Sequence, residues 1–478
     1  MELMNLLSGV EIAVFGQTFD ISLNWIGKLI RLIVGGVDSV GVGIILFSIA
    51  LKVVVLPFDI YQRISMRKQN LKMKENKDKM EKLQKQYAND KAMYNQKVME
   101  MYRESGISMF SSCLPMILSL VIFIVAINAF NAYAQYANVQ NYNTMVKAYN
   151  EEITSYAADV DEYSEFNLDS MTYTVENEDG EAEQKTDYFV VVSEADKYIN
   201  VYVPCEKDTT DLKTAALSYK GDYRYFVDKE KMDAAVAAGT IDLSEFESEN
   251  ADEADDKYVE FFYDKAQSAV VKAYNDEVYP RTSFIWIRNV WATDASYKHP
   301  VLSYSDFSAE VSREEFTVGG DDEVSFGSVN GKTNAYKAET YNQVTGKLSA
   351  QKNQANGFYV LIVLSIGTIL LQQWISMRSQ KEQQKYSSVD GSSGSQQKIM
   401  LVVMTVMFAI FSFMYSAAFS IYMIMSNVLS LFSTLVINKL VDISQSKKEA
   451  EAFKAKYDHK YAAQKRKEQS VKGKNKKK

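Results

Sequence analysis

A run of eighteen residues from Gly41 to Phe58 carries a single charged side chain, that of Lys52. The run is long enough to cross a bilayer, because a spanning helix needs about 20 residues at 1.5 Å each. A cation near the middle of such a helix costs about 2.5–3.5 kcal/mol on insertion scales. We therefore expect Lys52 to face water, a counter-ion or a substrate. The alternative is that its long side chain only reaches the inner headgroups, about 9 Å away.

Five stretches of the chain are apolar enough to span a membrane. They are 39–58, 107–133, 357–377, 399–416 and 418–438. They predict an all-α polytopic membrane protein with a five-span helical core, in which a tight turn joins the last two helices. The polar residues 134–356 predict a separate acidic α+β insertion, because 187–192 and 198–204 are rich in β-branched and aromatic residues.

Positive charge is concentrated in two segments outside the spans. Residues 59–106 carry 12 Lys and Arg against 7 Asp and Glu, and the tail 439–478 carries 14 against 5. Residues 134–356 carry 20 against 43. Because basic loops stay in the cytoplasm, the two basic segments and the short loop 378–398 are predicted inside. Strict alternation then predicts a multi-pass protein of the bacterial cell membrane, with the N-terminus outside, the insertion extracellular and the C-terminus cytoplasmic.

Two segments outside the spans have helical patterns. Within the outer segment 1–38, residues 21–35 place Leu23, Ile26, Ile30 and Ile33 on one face, which predicts an amphipathic helix on the outer membrane surface. An ordinary entry turn to the first span is the alternative. Residues 59–106 predict a cytoplasmic helical hairpin, with helices at about 60–86 and 90–105. Pro57 predicts a kink or an end of the first span.

Few residues suit catalysis or metal binding. The chain has only two histidines and two cysteines. Cys113 lies in a predicted span and Cys205 in the insertion, so no disulfide is expected. A metal site or a His-based triad cannot be assembled from so few ligands, and no Gly-rich phosphate loop is present. We therefore predict a protein that is not an enzyme and that has no cofactor and no metal.

Polar side chains at helical spacing accompany Lys52 in the predicted spans. Ser48 lies one turn before it on the same face. Taken singly, each polar stripe is better explained by close helix packing. Together with a lysine in a span, the stripes suggest a shared wet cavity. The candidate groove residues are Lys52, Ser48, Ser112, Ser119, Gln373, Ser420, Met423 and Asn427.

The order of these features resembles the YidC family of membrane protein insertases, in the form found in Gram-positive bacteria. The matching segments cover about half of the chain. They are ALKVVVLPF (Ala50–Phe58), VMEMYRESGISMFSSCLPMILSLVIF (Val98–Phe123), SFIWIRNV (Ser283–Val290), QQKIM (Gln396–Met400) and SIYMIMSNVLS (Ser420–Ser430). Prolines common in the second and fourth core spans of the family are absent, and the extracellular insertion is large.

The resemblance implies a function and a set of partners. Lys52 takes the place of the family's groove arginine, and Gln373 matches a groove-facing glutamine. The family inserts and helps to fold nascent membrane proteins through a hydrophilic groove that is open to the cytoplasm and the lipid bilayer. The ribosome is a further candidate partner, because the basic hairpin and tail have the charge to meet ribosomal RNA; a solvated charged surface is an equally good explanation of the tail. The Sec translocon is another candidate partner. Lysine lacks the planar fork of arginine, so the replacement is a real difference.

Two other classes of function stay open. A transporter or channel would use Lys52 in its pathway and predicts internal repeats, which we do not find in the sequence. A membrane-anchored extracellular binding protein would act through the acidic insertion, and Lys52 would then be dispensable.

Overall fold

The computed structural model describes most of the chain. The described residues are 11–12, 20–21, 23–105, 110–157, 165–176, 182–194, 197–219, 224–246, 256–311, 315–318, 322–325, 336, 338–379 and 392–475. The side chains of some residues within helices and strands, including those of 110–120, lie outside the described part. Most of the predicted cytoplasmic loop 378–398 also lies outside it.

The described chain is mostly helical. In chain order the helices are α1 (Trp25–Gly35), α2 (Val40–Gln86), α3 (Lys91–Glu104), α4 (Phe110–Thr154), α5 (Leu212–Ser218), α6 (Lys229–Ala237), α7 (Asp256–Ala273), α8 (Tyr279–Thr282), α9 (Tyr304–Val311), α10 (Ala338–Val344), α11 (Ser349–Asn353), α12 (Val360–Ser379), α13 (Ser392–Met414) and α14 (Ala417–Asn475). A π-helical turn, Tyr274–Val278, links α7 to α8, and a 3-10 turn, Gly346–Leu348, precedes α11.

Among the described residues, strands form two antiparallel sheets. They are β1 (Glu11–Ile12), β2 (Asp20–Ile21), β3 (Glu165–Glu176), β4 (Ala182–Ser193), β5 (Ile199–Cys205), β6 (Arg224–Val227), β7 (Glu315–Val318) and β8 (Asp322–Ser325). The sheets have the orders β1-β6-β5-β4-β3 and β2-β7-β8. The strand predicted at 187–192 lies in β4, and the strand predicted at 198–204 matches β5 to within one residue at each end. The two strands pair with each other.

Three helical segments in the described part of the chain are long and apolar enough to cross a membrane. They are Val40–Ser65, Val360–Arg378 and Ala417–Val441. A shorter apolar segment, Thr405–Met414, lies in the predicted fourth span, and the predicted second span lies in α4. The chain is therefore a mostly helical membrane protein with a smaller antiparallel sheet region.

Helix α2 differs from the prediction at its proline. It runs without interruption from Val40 to Gln86 with Pro57 inside it, so the expectation that the helix ends there is wrong. A proline removes one backbone donor, and neighbouring groups in a membrane helix can satisfy the freed carbonyl. The helix ends instead at the Tyr87–Asn89 turn, and Asp90 caps α3 by accepting a hydrogen bond from Met93 N at 3.0 Å.

Helix α1 has two apolar faces, one buried in the protein and one exposed, whereas the sequence predicted a single apolar face at the membrane surface. Ile30 and Val34 are fully buried, and Leu23 is nearly so. Trp25 and Leu32 on another face are 75% and 73% exposed. The predicted apolar stripe thus packs partly against the protein, and a second apolar face is available to the membrane interface.

By its internal contacts the chain divides into two compact units. The first comprises 1–43, 128–360 and 415–418, and the second comprises 44–127, 361–414 and 419–478. The first unit holds the sheets, and its helical part has a buried aromatic core. Tyr142 packs on Phe307 and Tyr341 at ring-centroid distances of 4.9 and 4.8 Å. Burial raises the pKa of Tyr142 and of Tyr149, so both hydroxyls stay protonated.

In the second unit, α2 and α3 pack against each other through one small apolar cluster. Met80, Met101 and Tyr102 are buried together. Asn76 Nδ2 donates a hydrogen bond to Ser105 Oγ at 2.7 Å beside them. The hairpin therefore has a core of its own, although most of its surface is charged.

Within the first unit, a tight contact holds the residues just before α12. The Asp294 carboxylate is fully buried and accepts hydrogen bonds from Phe358 N at 2.7 Å and from Tyr359 N at 3.2 Å. A Cβ on Gly357 would collide with the carboxylate oxygen and with Ile287. Only glycine therefore allows Asp294 to hold the start of α12.

We predict that Gly357→Ala lowers the free energy of unfolding by about 1–3 kcal/mol, because the added methyl must displace a buried carboxylate. The measurement is thermal unfolding of the purified chain in detergent. The control is Gly367→Ala in α12, where a Cβ would meet nothing within 4 Å. Equal melting temperatures for the two variants would contradict the steric argument.

Candidate functional site: a paired lysine in helix α2

Lys52 lies in the apolar segment Val40–Ser65 and has two polar partners. Its Nζ lies 2.7 Å from Asp59 Oδ2 and donates a second hydrogen bond to Ser430 Oγ at 3.0 Å. The side chains of Lys52 and Asp59 are 16% and 29% exposed. The lysine is therefore held by a carboxylate on its own helix and by a hydroxyl on α14.

The spacing of Lys52 and Asp59 explains the pair. Seven residues make two helical turns with a drift of only about 20°, so both residues lie on one face of α2. The helix must continue past Pro57 for this to happen, and it does. Pairing offsets part of the cost of placing an ammonium in an apolar span.

Asp59 was not among the predicted groove residues. The signal was present, since Asp59 follows the apolar run directly and lies two turns from Lys52. Ser430 lies in the matched segment Ser420–Ser430 and inside the predicted fifth span, but it too was not among the predicted groove residues. Asp59 was missed because it lies at the end of the apolar run, outside the predicted first span.

Ser48 is buried, and its hydroxyl donates to the Ile44 carbonyl at 2.7 Å. This bond lies within α2 and satisfies the hydroxyl locally. The structure thus places Ser48 one turn from Lys52, and its hydrogen bond is directed away from the lysine.

Three of the predicted residues lie on α14. Ser420 and Met423 are buried, and so is Asn427. Asn427 Nδ2 donates to Thr368 Oγ1 of α12 at 3.3 Å. Asn427 lies one turn before Ser430, so α14 contacts α12 and the Lys52 pair within neighbouring turns.

Gln373 is half-buried and is joined to α13. Its Oε1 accepts a hydrogen bond from Thr405 Oγ1 at 3.0 Å. Ser365 and Ser412 join the same two helices through hydroxyls 3.2 Å apart. These contacts are typical of helix association in lipid, where small and polar side chains hold helices together. Threonines 368 and 405 were missed because one polar residue in an apolar run has no periodicity.

Ser112 and Ser119 lie on α4, but their side chains lie outside the described part. Their role in a groove stays a prediction. The other end of this span is described, and Phe123 packs edge-on against Phe408 of α13 at a centroid distance of 4.4 Å. Phe419 of α14 lies 5.7 Å from the same ring. Helix α4 thus packs on α13 and α14 through aromatic side chains.

The spanning helices keep exposed apolar faces beside these polar contacts. On α2, Val53, Val54 and Phe58 are each more than 60% exposed. On α14, Phe432 is 69% exposed, two residues from Ser430. Adjacent exposed apolar side chains are typical of surfaces that contact lipid or an apolar partner.

A family comparison covers the parts of the chain that form this site. The family model described as 60Kd inner membrane protein matches residues 32–175 and 324–446, more than half of the chain. The chain belongs to the 60Kd inner membrane protein family. The match includes α2, α3, α4 and α12–α14 to residue 446. It leaves out 176–323, which contain strands β4–β7 and helices α5–α9.

Three relatives with similar sequences carry the same name. The chain is similar to "Membrane protein insertase YidC" of Caldanaerobacter subterraneus subsp. tengcongensis, with 38% identity over 98 residues, 20% of this chain and 46% of the relative. The protein of the same name from Fusobacterium nucleatum is 38% identical over 86 residues, 18% of this chain and 40% of the relative. That from Clostridium tetani is 37% identical over 86 residues, 18% of this chain and 37% of the relative.

The matched parts are thus less than half of the length of these relatives. No solved structure matches the chain. The resemblance to YidC insertases that was found in the sequence is confirmed by the family match.

We predict that Lys52 and Asp59 stabilise the protein as a unit. Lys52→Met leaves the Asp59 carboxylate without its 2.7 Å partner and is expected to cost about 1–3 kcal/mol in unfolding free energy. The double variant Lys52→Met/Asp59→Leu should cost less than the sum of the single variants. The measurement is a double-mutant cycle from unfolding in detergent.

The control cycle uses Lys77 and Glu81 of the same helix. Their charged atoms are 3.6 Å apart and both side chains are more than 40% exposed. Their coupling should be at most about 0.5 kcal/mol. A cycle at Lys52 and Asp59 with no more coupling than this control would show that the pair does not stabilise the fold.

Proposed function

We propose that this chain is a membrane protein insertase and chaperone, which inserts membrane proteins and helps them to fold in a bacterial cell membrane. The observation that carries the proposal is the Lys52–Asp59–Ser430 contact in the apolar spans of α2 and α14. The family match supports it, because it covers the helices that hold this contact. The names of the relatives support it as well.

The proposed mechanism starts from the cost of moving polar chain through hydrocarbon. An unpaired peptide group there costs several kcal/mol, so a segment crossing the membrane needs partners on the way. A polar groove that includes Lys52, Ser430 and Asn427 would supply such partners and shorten the dry distance. The low dielectric would strengthen attraction between Lys52 and an acidic outer segment of the substrate.

The apolar part of the substrate would then move along the exposed apolar faces of α2 and α14 into lipid. Burial of an apolar helix yields roughly 25 cal/mol per Å², so this step needs no nucleotide. We propose accordingly that the protein is not an enzyme and uses no cofactor. The candidate residues Ser48, Ser112, Ser119, Gln373, Ser420 and Met423 would line or support the groove.

The proposal includes a topology and partners. Five spans, with α4 and α13 as the second and fourth, would place the N-terminus and the sheet-containing insertion outside. The α2–α3 hairpin and the tail of α14 would lie in the cytoplasm, where their positive charge is suited to nascent chains and ribosomal RNA. The Sec translocon is a further candidate partner.

We predict that Lys52→Ala abolishes insertion of small single-span substrates and that Lys52→Arg retains it, because only a cation at this position can pair with an acidic segment. The measurement is insertion into liposomes that contain the purified chain, scored by protease protection of the substrate's tail. Lys77→Ala, which removes a cation from the exposed part of α2, is the matched control.

Normal insertion by a folded Lys52→Ala chain would contradict the role of the cation. Selective flux of a small solute through these liposomes, without insertion, would favour a transporter or channel. Absence of both activities in the wild-type chain would favour an extracellular binding protein.

The proposed topology predicts the labelling of Cys205. In a Cys113→Ser background, a membrane-impermeant maleimide should label Cys205 in intact cells, since β5 belongs to the proposed extracellular insertion. Burial raises the pKa of the Cys205 thiol, so less of the reactive thiolate is present at neutral pH. The labelling rate of Cys205 should therefore rise at a higher pH than the labelling rate of a fully exposed cysteine does.

The reference for the labelling rate is the variant Glu206→Cys, because Glu206 is exposed and adjacent to Cys205 in sequence. Labelling of Cys205 only after the cells are permeabilised would show that the insertion lies inside and would overturn the proposed topology.

A further inference from the structure

The Lys52–Asp59 pair has a consequence for the choice of substrate, and this consequence rests on the proposed function. Lys52 is not an open cation in the described structure, because a carboxylate lies 2.7 Å from its Nζ. The positive charge that would attract an acidic substrate is already neutralised by a residue of the same helix.

The two members of the pair differ in exposure. The Asp59 side chain is 29% exposed, and that of Lys52 is 16% exposed. Asp59 also lies about 10 Å further along α2, toward its polar half. A carboxylate that can turn to water loses less on separation than an ammonium that remains among apolar side chains. Lys52 can therefore change partners at lower free-energy cost if Asp59 moves away than if Lys52 itself moves.

The Lys52 ammonium can bind a new carboxylate before it releases Asp59. Lysine has three donors, and its contacts with Asp59 and Ser430 use two of them. An incoming carboxylate can bind the third donor before Asp59 leaves. The Ser430 hydroxyl then keeps the ammonium hydrogen-bonded to α14 throughout the exchange.

We propose that Asp59 is an internal competitor that an acidic segment of the substrate must displace from Lys52. Asp59 thereby sets how acidic a substrate must be to use the groove. A neutral tail gains nothing from the lysine, and a tail with one carboxylate competes with Asp59 on nearly equal terms. A tail with several carboxylates competes better, because any of them can reach the cation.

The test uses purified chain in liposomes and three single-span substrates that are identical except for zero, one or three aspartates in the outer tail. For each substrate the insertion rate of Asp59→Asn is divided by that of the wild type, which removes each tail's own cost of crossing. The expected ratio for the tail with one aspartate exceeds that for the neutral tail by about tenfold, or about 1.4 kcal/mol. The expected excess for three aspartates is smaller.

Two control variants accompany the test. Asp59→Glu keeps the charge, so its ratio to the wild type should not differ tenfold between the neutral tail and the tail with one aspartate. Asp78→Asn removes the same charge from an exposed position of α2 and should give a ratio near one for every tail. If Asp59→Asn does not assemble, Asp59→Ser keeps a neutral acceptor for the ammonium and serves the same comparison.

The outcomes separate the inference from the proposed function. A ratio that is the same for all three tails would overturn the inference and would make Asp59 only a structural partner of Lys52. A wild-type chain that inserts none of the substrates above protein-free liposomes would instead overturn the proposed function.

Discussion

The structure of the spanning helices depends on the need to pair one ammonium group in an apolar segment. Lys52 can remain in α2 because Asp59 lies on the same face two turns away and because Ser430 Oγ of α14 accepts a hydrogen bond from its ammonium. Two other features follow from this requirement. Helix α2 has to pass through Pro57 without ending, and α14 has to approach α2 near the middle of its own span.

The same requirement for partners in lipid explains the packing of the other spans. Helices in a bilayer are not held together by the hydrophobic effect, since lipid is as apolar as leucine. The contacts of Asn427 with Thr368 and of Gln373 with Thr405 supply specific attractions in its place. Such contacts both pack helices and provide polar groups at membrane depth. Packing and a wet groove are therefore compatible roles for one set of residues.

Several elements could be predicted because their signals are local. The break at Tyr87–Asn89 follows from turn residues in a helical composition, and β4 and β5 follow from runs of β-branched and aromatic residues. At Pro57 the same kind of signal predicted a kink or an end of the first span, and the helix does not end there. A proline weakens a helix by a few kcal/mol, and partners that are distant in sequence can offset that amount.

The sequence by itself determined the membrane class of the chain, the position of Lys52 in a span and the separation of basic from acidic segments. These properties depend on the hydropathy and charge of neighbouring residues, so they can be predicted without a structure. Only the tertiary structure decided that Lys52 pairs with Asp59 and Ser430 and that Gln373 is bound to α13. It also decided that α1 buries Ile30 and exposes Leu32. These outcomes depend on which helix faces meet, and residues hundreds of positions apart set that choice.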